Sequence, residues 1–211
     1  MTARVRGLYA VTPEIEDTTA LIAAVTDALV GGVGLLQFRS KHAAPSLRRA
    51  QAEQLAVLCR RMGVPLIVND DVDLALAVDA EGAHLGATDG ALAAARRRLG
   101  HGRLLGASCY NRYELAVAAR EAGADYVAFG SVFPSATKPG AVRAPLTLFG
   151  RAKQELGLAT VAIGGITASN AAEVIRAGAD ACAVISDLFG APDIAARARR
   201  FNALFSPPES A

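Results

Sequence analysis

Almost no charge bias exists in this chain: 22 basic residues stand against 20 acidic ones, a formal +2 over 211 residues. That balance leaves no electrostatic footprint for a nucleic acid. No apolar stretch approaches the roughly 20 residues of a membrane-spanning helix, so no membrane partner is expected. A secretory pattern is missing too, because Arg4 and Arg6 precede only a short apolar run that stops at Pro13. The three cysteines, Cys59, Cys109 and Cys182, lie far apart and form neither a CxxC pair nor a zinc spacing. A reducing, cytoplasmic setting is the expectation. None of the three histidines has an evident nucleophile partner, which leaves a Ser-His-Asp hydrolase without support.

What is present is apolar and periodic. The composition is 52% hydrophobic with 20 glycines, enough for a large core in one domain near the lower edge of barrel sizes. The domain is expected over 1–205, with 206–211 a frayed, proline-containing tail. Strand signals fall at 5–11, 34–39, 65–68, 83–85, 104–107, 126–130, 160–163 and 181–185. Several are near-continuous apolar runs, so both faces of the sheet should be covered. Helical stripes lie between them: Leu21, Ile22, Val25 and Leu29; then Leu55, Leu58 and Met62; finally Ile194, Ala198, Phe201 and Phe205. Eight strand–helix units predict a single small (β/α)8 TIM barrel, an α/β fold, over an open doubly wound sheet. No Gly-x-Gly-x-x-Gly turn follows the first strand; Gly31, Gly32 and Gly34 read as a helix stop. An internal echo supports the count. Glu81-Gly82-Ala83, Ala122-Gly123-Ala124-Asp125 and Ala177-Gly178-Ala179-Asp180 each separate a helix from the next strand, with the glycine suited to a left-handed helix end. Arg96-Arg97-Arg98 and Arg197, Arg199, Arg200 read as solvated helix surface.

The chemistry-bearing residues sit where strands give way to loops, and in a closed barrel those ends share one face. Gln37, Arg39 and Lys41 share one side of the second strand's extension by period two. An arginine fork and a lysine point charge suit a polyanion, and Lys138 at the end of a long 133–145 loop adds a third cation. That loop's length suggests a flap over ligand. Asp70 and Asp89 follow neighbouring strands, and two such oxygen donors suit a magnesium ion, Mg2+; Asp71 and Asp73, with Asn69, could instead cap the third helix. Gly164 and Gly165 after the seventh strand and Ser186 after the eighth place backbone N–H groups where barrels often hold a phosphate. His84 lies within a strand signal, structural or catalytic; His42 and His101 look peripheral.

Together Gln37-Phe38-Arg39, Asn69-Asp70-Asp71-Val72-Asp73-Leu74-Ala75, His84-Leu85-Gly86, Gly106-Ala107-Ser108, the stretch from Phe129-Gly130 to Thr137-Lys138, Ala162-Ile163-Gly164-Gly165-Ile166 and Val184-Ile185-Ser186 resemble the thiamine phosphate synthase family, over nearly the whole chain. The resemblance implies a magnesium-dependent transferase. It would join 4-amino-5-hydroxymethyl-2-methylpyrimidine pyrophosphate to 4-methyl-5-(2-phosphoethyl)thiazole and release pyrophosphate. By position, Gln37, Arg39, Lys41, Asn69, Ser108 and Lys138 would hold the pyrimidine pyrophosphate, with Arg39, Lys41, Ser108 and Lys138 as the catalytic set. Asp70 and Asp89 would bind Mg2+. Ser135, Thr137, Gly165, Val184, Ile185 and Ser186 would hold the thiazole phosphate. The chain departs from the family at Ser40, where glutamate is common, at Ala87-Thr88, where Gln-Glu is common, at Tyr110, where histidine is frequent, and at Ser135, where threonine is usual. Two alternatives follow. A related thiazole tautomerase uses a histidine after the fifth strand, where Cys109 and Tyr110 stand here. A non-catalytic binder of thiazole phosphate or thiamine phosphate would release no pyrophosphate.

Overall fold

The computed structural model describes residues 5–86, 89–134 and 142–205, with the side chains of 89–91 outside that description. Ser135, Thr137, Lys138, the Asp89 side chain and the 206–211 tail therefore lie outside the described residues. Eight parallel strands pair in sequence order: β1 (Gly7–Val11), β2 (Leu35–Phe38), β3 (Leu66–Asn69), β4 (Gly82–Gly86), β5 (Leu104–Tyr110), β6 (Tyr126–Gly130), β7 (Ala159–Ile163) and β8 (Ala181–Val184). β8 returns to β1 through Gly7↔Ala181 to Ala10↔Val184, which closes a (β/α)8 barrel. The helices are α1 (Thr18–Val30), α2 (Pro45–Met62), α3 (Val72–Ala77), α4 (Asp89–Leu99), α5 (Tyr113–Glu121), α6 (Thr147–Leu156), α7 (Ala171–Arg176), α8 (Ser186–Phe189) and α9 (Ile194–Ala203).

Two apolar layers explain why the strands read as continuous runs. Alternate residues such as Leu8, Leu36, Val127 and Phe129 pack outward under the helices, while Tyr9, Leu35, Ile67, Leu104 and Val161 fill the lumen. Each fully buried large side chain contributes about 1.5–3 kcal/mol. Local chemistry sets the helix ends. Asp17 caps α1 by accepting from the Thr19 and Ala20 N–H groups (2.8 and 3.2 Å), and Pro45 starts α2, which ends at left-handed Gly63 (φ 68°).

The repeated turns have a shared physical basis. Glu81 accepts from the Leu66 N–H (2.8 Å), Asp125 from Leu105 (2.7 Å) and Asp180 from Thr160 (3.0 Å). Each acid thus holds the bottom end of the preceding strand. Gly123 and Gly178 take left-handed conformations (φ 86° and 107°), as the echo suggests, but Gly82 does not. There Asp79 adopts the positive φ (54°), and Gly82 opens β4 because a Cβ would lie 2.2 Å from the Leu104 carbonyl oxygen.

Three sequence expectations need correction. Arg96 is not solvated surface: it is 9% exposed, donating to the carbonyls of Gly123 (2.9 Å), Arg103 (2.8 Å) and Gly100 and pairing with Asp125. The last turn of α4 lies over strand-entry turns whose carbonyls accept from this guanidinium. Arg97 remains exposed and Arg98 pairs with Asp73. On α2 the third member of the buried stripe is Cys59, and Met62 faces solvent. β5 runs through Tyr110, three residues past its apolar signal, with a register shift between Ser108 and Tyr110.

Candidate active site

The described candidate residues occur in the C-terminal halves of their strands or beyond them. On β2, Gln37 is buried (5% exposed) and Arg39 follows two residues later. Thr12, at the end of β1, fixes the Arg39 main chain twice: its Oγ1 accepts from the Arg39 N–H (2.9 Å) and donates to the Arg39 carbonyl (3.2 Å). Glu14 completes the fastening. Its Oε1 accepts from the Lys41 N–H (2.7 Å) and lies 3.5 Å from Arg39 Nη1. One carboxylate therefore holds both basic residues of the loop.

Asp70 takes a left-handed conformation (φ 59°) that few residues other than glycine adopt. Its N–H donates to the His84 carbonyl (2.9 Å), which pins the kink to β4. Its Oδ2 accepts from Asn69 Nδ2 (2.7 Å) and lies 4.0 Å from Lys41 Nζ. The two charged side chains are 48% and 56% exposed, so their attraction is weak and the carboxylate stays open to a ligand. Asp71 caps α3 through the Leu74 N–H (2.8 Å) and faces Arg48 (3.4 Å), a structural role. Asp89 begins α4 at the mouth of β4, the neighbour of β3. Among the described residues no group of three or more His, Cys, Asp or Glu side chains gathers at metal-binding spacing.

The late loops are only partly as the sequence suggests. Gly164 and Gly165 have positive φ (99° and 65°). A Cβ at Gly164 would meet Ser131 Oγ at 2.1 Å and one at Gly165 the Pro134 carbonyl at 2.4 Å, so both glycines also let the sixth-strand loop pack close. Two of the amides that follow them are engaged: Thr167 N–H donates to Asn170 Oδ1 (2.8 Å) and Ala168 N–H to Asp187 Oδ2 (3.0 Å). α7 itself starts at Ala171. Val184 points into the helix–sheet layer, so only its main chain can reach a ligand. Ser186 does not cap α8; Ile185 holds that position, and Ser186 is the first helical residue, in the turn where amides lack intrahelical partners.

A polar chain crosses the lumen below this rim. Gln37 Nε2 donates to Tyr9 Oη (2.9 Å), Tyr9 Oη lies 2.8 Å from Tyr126 Oη, Tyr126 Oη 3.1 Å from His84 Nδ1, and His84 Nε2 2.8 Å from Ser108 Oγ. Burial pushes the His84 pKa down to about 4, against a smaller opposing pull from Asp70. Burial likewise raises both tyrosine hydroxyls well above their ordinary value. The ring is neutral and the phenols keep their protons. Sequence reasoning found both ends, Gln37 and Ser108, but missed Tyr9, Tyr126, Thr12 and Glu14. Glu14 had a usable signal in its place beyond the first strand; the tyrosines, set in apolar runs, read as core. Tyr110 is 52% exposed at the end of β5 in a left-handed conformation (φ 54°).

The model of the thiamine monophosphate synthase family matches residues 8–188 of the chain. The thiamine-phosphate synthase of Aromatoleum aromaticum is 60% identical over 202 residues, covering 96% of this chain and 97% of that protein. The corresponding protein of Methylobacillus flagellatus is 55% identical, with 96% of each chain covered. Among solved structures, the thiamine phosphate pyrophosphorylase from Pyrococcus furiosus superposes with a TM-score of 0.83 at 34% identity, covering 94% of this chain and 95% of that one.

Proposed function

Because the chain belongs to the thiamine monophosphate synthase family, we infer that it joins 4-amino-5-hydroxymethyl-2-methylpyrimidine pyrophosphate to 4-methyl-5-(2-phosphoethyl)thiazole and releases pyrophosphate. One observation carries this reading: the family match runs from residue 8 to 188 and so includes every strand end that bears a candidate residue.

We assign Gln37, Arg39, Lys41, Asn69 and Ser108 to the pyrimidine pyrophosphate, with Lys138 of the 133–145 stretch. The support is their common rim and the fastening of Arg39 and Lys41 by Glu14. Cations held in place before the reaction stabilise negative charge as it develops on the leaving group. The amino group of the pyrimidine pushes electrons toward the exocyclic carbon, so the C–O bond breaks toward a stabilised cation without a protein nucleophile. Holding the thiazole nitrogen against that carbon is then the remaining task. Gly165, Ile185 and Ser186, with Ser135 and Thr137 of the 133–145 stretch, are assigned to the thiazole phosphate, and Val184 through its main chain. β7 and β8 are paired neighbours, which brings their end loops side by side.

The residues fit magnesium. Asp70 offers a half-exposed hard oxygen donor at a kinked strand end, and Asp89 opens the neighbouring helix. An ion of this kind takes one or two carboxylates together with substrate phosphate oxygens, so a large protein cage is not required. When bound it would offset charge on the pyrophosphate.

No helix among the described residues is long and apolar enough to cross a membrane. A cytoplasmic site of action is proposed from the three free, buried thiols. The deciding experiment supplies both ring substrates with and without magnesium and follows thiamine phosphate directly. Coupling that needs both substrates and falls in the chelated sample is expected. Isomerisation of a thiazole carboxylate, or binding without pyrophosphate release, would transfer the chain to the tautomerase or the binder reading.

A further inference from the structure

The lumen chain has a direction, and the direction decides what Ser108 can offer a ligand. An amide nitrogen only donates. If Tyr9, which accepts from Gln37 Nε2, spends its own proton on Tyr126 (2.8 Å), then Tyr126 spends its proton on His84 Nδ1 (3.1 Å), an order of donors that the distances allow. A ring nitrogen that accepts is bare, so the neutral imidazole carries its proton on Nε2 and donates it to Ser108 Oγ (2.8 Å). Ser108 has then been given a proton by the protein, and its own hydroxyl proton is left for the cavity. If the Gln37 amide were turned over, every bond would reverse. Ser108 would spend its proton on His84 and present only lone pairs.

We propose that Tyr9, Tyr126 and His84 are positioning residues that hold Ser108 as a hydrogen-bond donor toward an anionic substrate oxygen. The identity of that oxygen, on the pyrophosphate of the pyrimidine substrate, rests on the function inferred above; the polarity of the chain does not. The chain's geometry is built, not incidental. Four of its five members are buried. Across β5, a Cβ at Gly106 would lie 2.1 Å from Tyr126 Cζ, 2.3 Å from Tyr126 Oη and 2.5 Å from His84 Nδ1. The missing side chain at Gly106 is what allows the tyrosine and histidine to meet. A lone pair aimed at a polyanion would repel it, whereas an O–H donor stabilises charge as the leaving group departs.

The test reads the ring itself. Full-length protein labelled with 15N-histidine is examined near pH 7.5 by long-range 1H–15N spectra, with His84 assigned through the signal lost in a His84→Gln variant. A protonated Nε2 and bare Nδ1 are expected in the unsubstituted protein, which needs no variant to fold. In Tyr126→Phe the donor to Nδ1 is gone. The ring should then populate both tautomers, and turnover should fall about tenfold, the effect of one misdirected hydrogen bond. The KM for the thiazole phosphate should stay unchanged. Adding Tyr126→Phe to Ser108→Ala should cost nothing further, because both act through one hydroxyl. A proton on Nδ1, a doubly protonated ring, or a tautomer unmoved by Tyr126→Phe would overturn the proposal. Protonated Nε2 in a protein that couples no rings would overturn the reaction while leaving the polarity in place.

Discussion

At Gly106 a methyl group would press on a tyrosine ring that is fully buried and already hydrogen-bonded on both sides. Nothing at the far end of a flexible side chain can yield there, so the ring or β5 must shift. Gly106→Ala is therefore expected to lower stability by about 2–3 kcal/mol, in line with overpacking of a filled core. Gly102 is the control: it has open space around it and lies just before β5, so Gly102→Ala should stay within about 0.5 kcal/mol. Urea unfolding of the two variants checks the contrast, and equal losses would mean that the lumen near Tyr126 has room to spare. The same residue shows what the sequence could and could not tell. Gly106 stands in an apolar run, and although Gly106-Ala107-Ser108 is one of the segments that carry the resemblance, nothing along the chain says why a glycine is needed there. Its reason lies in Tyr126 and His84, which approach it from different strands. Gln37 and Arg39, by contrast, were legible because period two within a single strand puts polar groups at the end of an apolar run.

The elements carry a second lesson, at the bottom of the barrel. Glu81, Asp125 and Asp180 each hold the first amides of the strand before them, and Arg96 ties the turn holding Asp125 to the end of α4. The echo of a Gly-Ala pair with an acid beside it is visible along the chain because each copy is local. The partner of the acid is not, since it belongs to a strand 15–20 residues earlier. For the same reason Arg96 looked like its exposed neighbours Arg97 and Arg98. Helix periodicity says which face a residue is on but not which carbonyls wait beneath that face. Arg96→Ala should remove the donor to three carbonyls and leave the half-buried Asp125 without its cation, at a cost of about 1–3 kcal/mol, the range for leaving polar groups without partners. Asp73→Ala breaks the exposed pair that Arg98 of the same α4 makes with α3 and should shift the urea midpoint far less. Comparable shifts would show that the buried guanidinium is replaced by water without penalty.

On the scale of the whole molecule, closure of the sheet is the feature with the widest consequences. β1 pairs with both β2 and β8, so no strand has a free edge and none can leave without breaking two ladders. Three thiols report on this. Cys59 lies on α2, Cys109 on β5 and Cys182 on β8; all are free and buried between sheet and helices. Burial pushes each thiol up to about 12, with Glu81 adding to the effect at Cys59. At pH 8 each is therefore far less ionised than an unperturbed cysteine, whose pKa is about 8.5, and the thiolate is the reactive form. A disulfide reagent should modify none of the three in the native protein. In rising urea, peptide mapping should find all three modified with one midpoint, coincident with the loss of far-ultraviolet dichroism. For a chain of this length, opening of one part before the rest is the real competitor. It has a distinct signature: Cys182 would react at lower urea than Cys59, and the β8 side would then be a separate cooperative unit. A single midpoint means that the ring of strands opens as one body, so that a ligand held across β2, β3 and β7 stabilises all of it.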